Sequence, residues 1–170
     1  GLISRGELQR PTALICSEGT QIFWISEQDG LTAVPDEEWR YSLNETWCWP
    51  RLKDAVNDTL SPHRANVTKF LPLADMEAQQ PMVVIAINSQ EAAAGVLDRL
   101  EALPRDLRAS FDVIQSCSAH ERFILLVPAG AGKGSAALHV AALLGYKVEQ
   151  VMVAGDGERA ASTLNKVGDA

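Results

Sequence analysis

The apolar run Met82-Val83-Val84-Ile85-Ala86-Ile87 passes directly into Asn88-Ser89 and then into Ala94, Leu97, Leu100 and Leu103 at helical spacing, with Pro104 behind them. This order predicts a strand, then a helix capped by Asn88 or Ser89 and stopped by Pro104, since proline disfavours helical backbone in the residue before it. Two more strand-like segments follow, Phe111 to Cys117 and Arg122 to Val127, separated by Ser118-Ala119-His120-Glu121. Upstream, Val67 to Leu71 reads as a further strand. Before it, Asp36 can cap a helix opening Glu37-Glu38-Trp39, where acidic side chains suit the positive end of the helix dipole. Trp39, Leu43 and Trp47, then Leu52, Val56 and Leu60, continue at mostly helical intervals, and Pro50 divides them into two pieces. The middle of the chain therefore reads α-β-β-α-β-β, an antiparallel sheet with its helices on one face.

The flanking segments have a different character. Thr12 to Cys16 and Gln21 to Ile25 are short apolar stretches around Ser17-Glu18-Gly19-Thr20, the pattern of a strand, a tight turn and a second strand. Glu27 to Pro35 is polar, contains Asp29-Gly30, and is read as the exit from this unit. After Pro128 comes Ala129-Gly130-Ala131-Gly132-Lys133-Gly134, leading into an amphipathic helix from Ser135 that Gly145 closes. Val148 to Ala154 is rich in β-branched residues and predicts a strand ending at Gly155-Asp156-Gly157, with another helix from about Glu158 through Leu164. Ligands in α/β folds sit at such carboxyl ends of strands.

Composition removes several classes of function. No apolar run approaches the roughly 18 residues needed to cross a bilayer, and Gly1-Leu2-Ile3-Ser4-Arg5 lacks a signal-peptide pattern, so no membrane partner and a cytoplasmic location are expected. The net charge of −7, from 15 basic against 22 acidic residues with no basic stripe, argues against a nucleic-acid partner. Cys16, Cys48 and Cys117 are far apart and show no CxxC spacing, which suggests buried, reduced thiols in place of disulfides or zinc ligands.

Chemistry concentrates in the last third. A nucleotide-binding GxxxxGK loop fails on spacing, because Val127 stands where the first glycine is needed and Gly134 follows the lysine in place of Ser or Thr. What survives is Lys133 at a helix N-terminus, which is either a solvated lysine in a glycine loop or part of an anion site. Asp156, between two glycines where a hydrophobic strand ends, is either a turn-forming cap or a carboxylate that holds a divalent cation. Trp39, Trp47 and Trp49 are at least as well explained as packing anchors as by ligand contact.

In their order these segments resemble the haloacid dehalogenase superfamily of phosphohydrolases, in particular its sucrose-phosphatase-like branch. The matching stretches are PTALICSEGTQIFW, DEEWRYSLNETWCWPRL at the start of a cap, VPAGAGKGSAALHVAALLGY and VMVAGDGERAASTL. The resemblance implies a partial Rossmann-like core (residues 1–34 and 128–170) with an inserted α+β cap (residues 35–127). It implies that Lys133 steadies the phosphate and serves catalysis, that Asp156 binds Mg²⁺, and that Gly19-Thr20 lies at the core hairpin before the cap. The implied ligand is a sugar phosphate such as sucrose phosphate.

Two departures bear on activity. Nothing in these residues matches the family's DxDxT nucleophile motif, so the chain is expected to begin after it. The metal motif, usually close to GDSGND, reads GDGERA, which puts Arg159 and Ala160 at an asparagine and a carboxylate position and leaves Glu158 as a substitute ligand. Covalent catalysis by a positioned carboxylate is not replaced by a lysine and one aspartate. Two readings follow: a sugar-phosphate phosphomonoesterase domain inactive by itself, or a non-catalytic sugar-phosphate-binding or regulatory module attached to a sucrose-phosphate synthase-like protein. An incomplete core would also expose a sheet edge, which implies a homodimer or docking to a missing core segment.

Overall fold

The computed structural model describes residues 11–26, 32–72 and 81–151. These form two sheets and five helices, a mixed α/β fold, and the chain divides into two compact units, Gly1–Arg40 with Lys133–Ala170 and Tyr41–Gly132. No described helix is long and apolar enough to cross a membrane.

In the first unit, β1 (Ala13–Cys16), β2 (Gln21–Ser26) and β3 (Thr32–Pro35) make a three-stranded antiparallel sheet in that order. The hairpin between β1 and β2 follows the expectation, with Cys16 opposite Gln21 and Ala13 opposite Trp24. The third strand does not, because part of the polar stretch read as an exit pairs with β2, Val34 opposite Trp24 and Thr32 opposite Ser26. Thr32 and Val34 favour extended backbone, and Pro35 sits at the strand's end, where its missing N–H interrupts no ladder.

Asp36 follows β3 and caps α1 (Glu37–Thr46), its Oδ1 accepting from the Trp39 backbone N–H at 2.9 Å. Its other oxygen accepts from Trp24 Nε1 at 2.9 Å and lies 3.1 Å from His139 Nε2. Trp39 in turn donates from Nε1 to the Gly19 carbonyl at 3.0 Å and packs its ring 5.1 Å from that of His139. His139 belongs to α5 (Lys133–Leu143), so one buried carboxylate joins β2, α1 and α5. Burial works to raise the Asp36 pKa, but the Trp39, Trp24 and His139 contacts outweigh it and hold the carboxyl below its ordinary value.

The glycine expected to close α5 does so. Gly145 adopts φ +77°, and the Tyr146 N–H reaches the Ala141 carbonyl at 2.9 Å while the Gly145 N–H reaches that of Ala142 at 3.0 Å. This is the Schellman closure that a left-handed glycine permits. The expected amphipathic character is absent: only Ala136 and Ala141 are buried, partial burial continues around the helix from Gly134 to Val140, and Leu143, Leu144 and Tyr146 face solvent. With alanine and valine on every side, the helix has no polar face to set against an apolar one. The strand expected from Val148 is also absent at its start, where Val148–Gln150 forms a 3-10 turn. The Gln150 side chain accepts from the Lys147 N–H at 2.8 Å, and such local side-chain-to-backbone bonding competes with sheet pairing. The remainder of that expected strand, residues 152–154, and the helix expected after it lie outside the described residues.

The second unit carries the α-β-β-α-β-β order. α2 (Trp49–Leu60) follows α1 after the break that Pro50 predicts, then come β4 (Val67–Pro72), β5 (Val83–Ile87), α3 (Gln90–Glu101), the single turn α4 (Arg105–Arg108), β6 (Phe111–Cys117) and β7 (Arg122–Pro128). The sheet is antiparallel throughout, in the order β4-β5-β7-β6. Val83, Ile85 and Ile87 point to one face, paired across the ladder with Leu126, Ile124 and Arg122. Leu52, Val56 and Leu60 of α2 and Ala92, Ala93, Val96 and Leu100 of α3 complete the core on that face.

Ser89 caps α3, accepting from the Ala92 N–H at 3.2 Å, as its position predicts. The buried stripe of α3 differs from the expected one, since Ala94 is exposed while Leu97 and Leu103 only flank the core. Beyond it, Arg108 donates to the Phe111 carbonyl at 2.9 Å and pairs with Glu101 at 2.8 Å, fastening the end of α3 to β6. The cysteines correct another expectation: all three are exposed, because each stands at an element's edge, Cys16 ending β1, Cys48 preceding α2 and Cys117 ending β6.

This packing has two measurable consequences. A methyl group added at Gly95 would meet the His63 ring at 2.7 Å, so Gly95→Ala should fail to gain the helix stabilisation of about 1 kcal/mol that the exchange ordinarily gives. In a His63→Ala background that gain should return, as a double-mutant cycle by urea unfolding would show. Because the Asp36 pKa is lowered on folding, its contribution is present above the unfolded value of ~4 and is lost as pH falls through the folded value. Asp36→Asn should therefore be less stable at neutral pH, by on the order of 1–3 kcal/mol, with the gap to wild type closing in thermal unfolding below about pH 4.

Candidate anion site at Lys133

The turn joining β1 to β2 is built from three successive left-handed residues, Ser17 (φ 51°), Glu18 (φ 57°) and Gly19 (φ 87°). Glycine adopts this backbone freely, whereas serine and glutamate do so at a cost. Hydrogen bonds hold the shape: the Thr20 N–H and hydroxyl both donate to the Ser17 carbonyl, at 3.1 and 2.9 Å, and Ser17 Oγ donates to Gln21 Oε1 at 3.2 Å. The Gly19 carbonyl is engaged from the other side by Trp39. Gly19-Thr20 thus lies at the hairpin, with both residues buried.

Helix α5 packs against this turn and against β1. Lys133 is its first residue, at the end where unpaired backbone N–H groups and the helix dipole favour negative charge. Its Nζ lies 3.1 Å from Glu18 Oε2, with side-chain exposures of 59% for the lysine and 25% for the glutamate. An ion pair this open to water contributes only about 0–1 kcal/mol. The pair is therefore weak, and the lysine tip is its more open end.

Of the residues singled out from sequence, Lys133 is placed at the N-terminus of α5, while Asp156 and Glu158 lie outside the described residues. Among the described residues no group of three His, Cys, Asp or Glu side chains could hold a metal ion. Two participants carry no signal in the sequence. Glu18 is one of the residues of an ordinary-looking turn, and His139 lies in an alanine-rich helix far along the chain from Asp36. Both are joined to their partners by tertiary contact alone.

In the second unit, Trp47 and Trp49 stack with ring centroids 6.4 Å apart and planes within 9°. Trp49 belongs to the core and Trp47 packs on it, in keeping with an anchoring role, and both indole N–H groups are buried without an acceptor among the described residues. An open groove of about 480 Å³ runs between α2 and α3 past Ala55, Asp58, Thr59 and Arg99. Arg99 spends a donor there on the Asp58 carbonyl at 3.2 Å.

The family model described as sucrose-6F-phosphate phosphohydrolase matches residues 1–167. No curated protein matches the sequence. Among solved structures, the sucrose-phosphatase of Synechocystis sp. PCC6803, determined in complex with sucrose and phosphate, superposes with a TM-score of 0.65 at 18% identity, covering 96% of this chain and 59% of that one. The haloacid dehalogenase-like hydrolase YhjK of Bacillus subtilis superposes with a TM-score of 0.60 at 16% identity, covering 98% of this chain and 59% of that one. The chain thus spans about three-fifths of the length of these two structures. The mixed α/β fold and its likeness to these two structures agree with the expected Rossmann-like haloacid dehalogenase core. From the family match along nearly all its length, the chain belongs to the sucrose-6F-phosphate phosphohydrolase family.

Proposed function

We propose that this chain is a sugar-phosphate-recognising domain of the phosphohydrolase type, with Lys133 holding the phosphate and residues 35–127 serving as the cap of a core formed by residues 1–34 and 128–170. The observation that carries the reading is the position of Lys133, a lysine at the start of a helix, with its charge set against the turn that joins β1 to β2. The ammonium and the first-turn amides of α5 act on the same species, an anion with several acceptor oxygens. Sucrose phosphate is the preferred candidate ligand, in line with the family and with the sugar and phosphate held by the Synechocystis relative.

Mg²⁺ belongs to this reading through Asp156, with Glu158 as a further oxygen donor. The ion would supply positive charge against a phosphoryl group crowded by carboxylates. Lys133 provides part of that charge from the protein itself. The 170 residues contain no DxDxT segment, so they bind a phosphate ester without cleaving it. A cytoplasmic setting fits such a ligand, and a homodimer belongs to the same reading.

A second reading is favoured by Arg159 and Ala160, which stand where the family's metal motif has an asparagine and a carboxylate. On this reading the domain binds sugar phosphate without metal, as a regulatory module of a sucrose-phosphate synthase-like protein. The two are separated by one pair of measurements on the chain. With sucrose phosphate and Mg²⁺, phosphate release should stay at the uncatalysed level, and hydrolysis abolished by Asp156→Ala would overturn the non-cleaving assignment. Mg²⁺ titrated calorimetrically should give heat that Asp156→Ala removes if the phosphatase-type reading holds, and no heat if the metal-independent one does.

A further inference from the structure

We infer that Glu18 sets the affinity of the Lys133 site, acting as a resident carboxylate whose charge an incoming phosphate must contend with at the ammonium. The inference rests on the reading of Lys133 as a phosphate-holding residue and adds to it the group that phosphate competes with. The 3.1 Å contact brings the Glu18 carboxylate to the ammonium itself, so a phosphate oxygen bound at Nζ meets a negative charge within hydrogen-bonding range. The carboxylate is also delivered by a fixed backbone. Glu18 sits in the middle of the left-handed turn, where its own φ of 57° suits Gly or Asn far better than Glu, and the Thr20 and Ser17 hydrogen bonds hold that turn in place.

The glutamate is only 25% exposed while the lysine is 59% exposed. The anion carrier is therefore the better-held partner, and the lysine tip is the end open to a ligand. Because exposed ion pairs are weak, Glu18 tempers phosphate binding without blocking it, and its neighbouring charge acts more strongly on a phosphate dianion than on a singly charged anion.

Inorganic phosphate titrated into the whole chain by calorimetry or ³¹P NMR tests this. Wild type should bind weakly, Glu18→Gln about 3- to 10-fold more tightly, and Lys133→Ala not detectably, either alone or combined with Glu18→Gln. Glu18→Asn serves as the second variant, since asparagine tolerates the left-handed backbone and carries no charge, and circular dichroism checks that each variant is folded. Phosphate affinity equal to or below wild type in both Glu18 variants, with Lys133 still required, would overturn the role of Glu18 and leave the Lys133 site standing. Absence of binding in wild type and in both Glu18 variants would sink the Lys133 site, and this inference with it.

Discussion

The carboxylate of Asp36 is the point on which the first unit depends. It ends a strand, starts a helix, receives an indole N–H from β2 and meets an imidazole from α5, all while almost removed from water. A buried carboxylate is tolerable only when its oxygens are occupied, and here each has a partner. Trp39 extends the arrangement, touching the His139 ring and bonding to Gly19. The turn that carries Glu18 and the helix that starts at Lys133 are thus held by the same few groups. The contact between those two side chains is weak in itself and owes its geometry to this stronger, better-buried network.

Much of the fold was legible because it is written locally. Asp36 and Ser89 are recognisable as caps from their positions ahead of helical patterns, Pro50 as a divider and Gly145 as a stop, since each acts through its own backbone chemistry. The short apolar runs of β5 and β7 likewise mark them as strands. Other features depend on partners that no local pattern names. Thr32 to Pro35 is a strand because β2 lies alongside it, and Val148 to Gln150 forms a turn closed by its own backbone bonds together with the Gln150 side chain. The face of α3 is offset from the leucine pattern, since Ala92, Ala93 and Val96 join Leu100 in the core while Leu97 and Leu103 are only partly buried against it.

The site divides in the same way. The placement of Lys133 at a helix N-terminus was legible because a glycine-rich loop, a lysine and a helix form a recognisable order. The contact of Lys133 with Glu18 was not legible, because it is an ion pair between residues remote in sequence, made from a backbone conformation that glutamate does not advertise. Asp156 and Glu158 lie outside the described residues.

The three exposed cysteines have a practical consequence of a different kind. Cys16, Cys48 and Cys117 all present accessible sulfur, and the first adjoins the turn that carries Glu18. Accessible thiols on separate molecules exchange and oxidise into intermolecular disulfides in air. Covalent cross-linking would therefore imitate self-association, and a sedimentation profile of this chain measures a genuine subunit interface only when a reductant keeps the sulfur atoms apart.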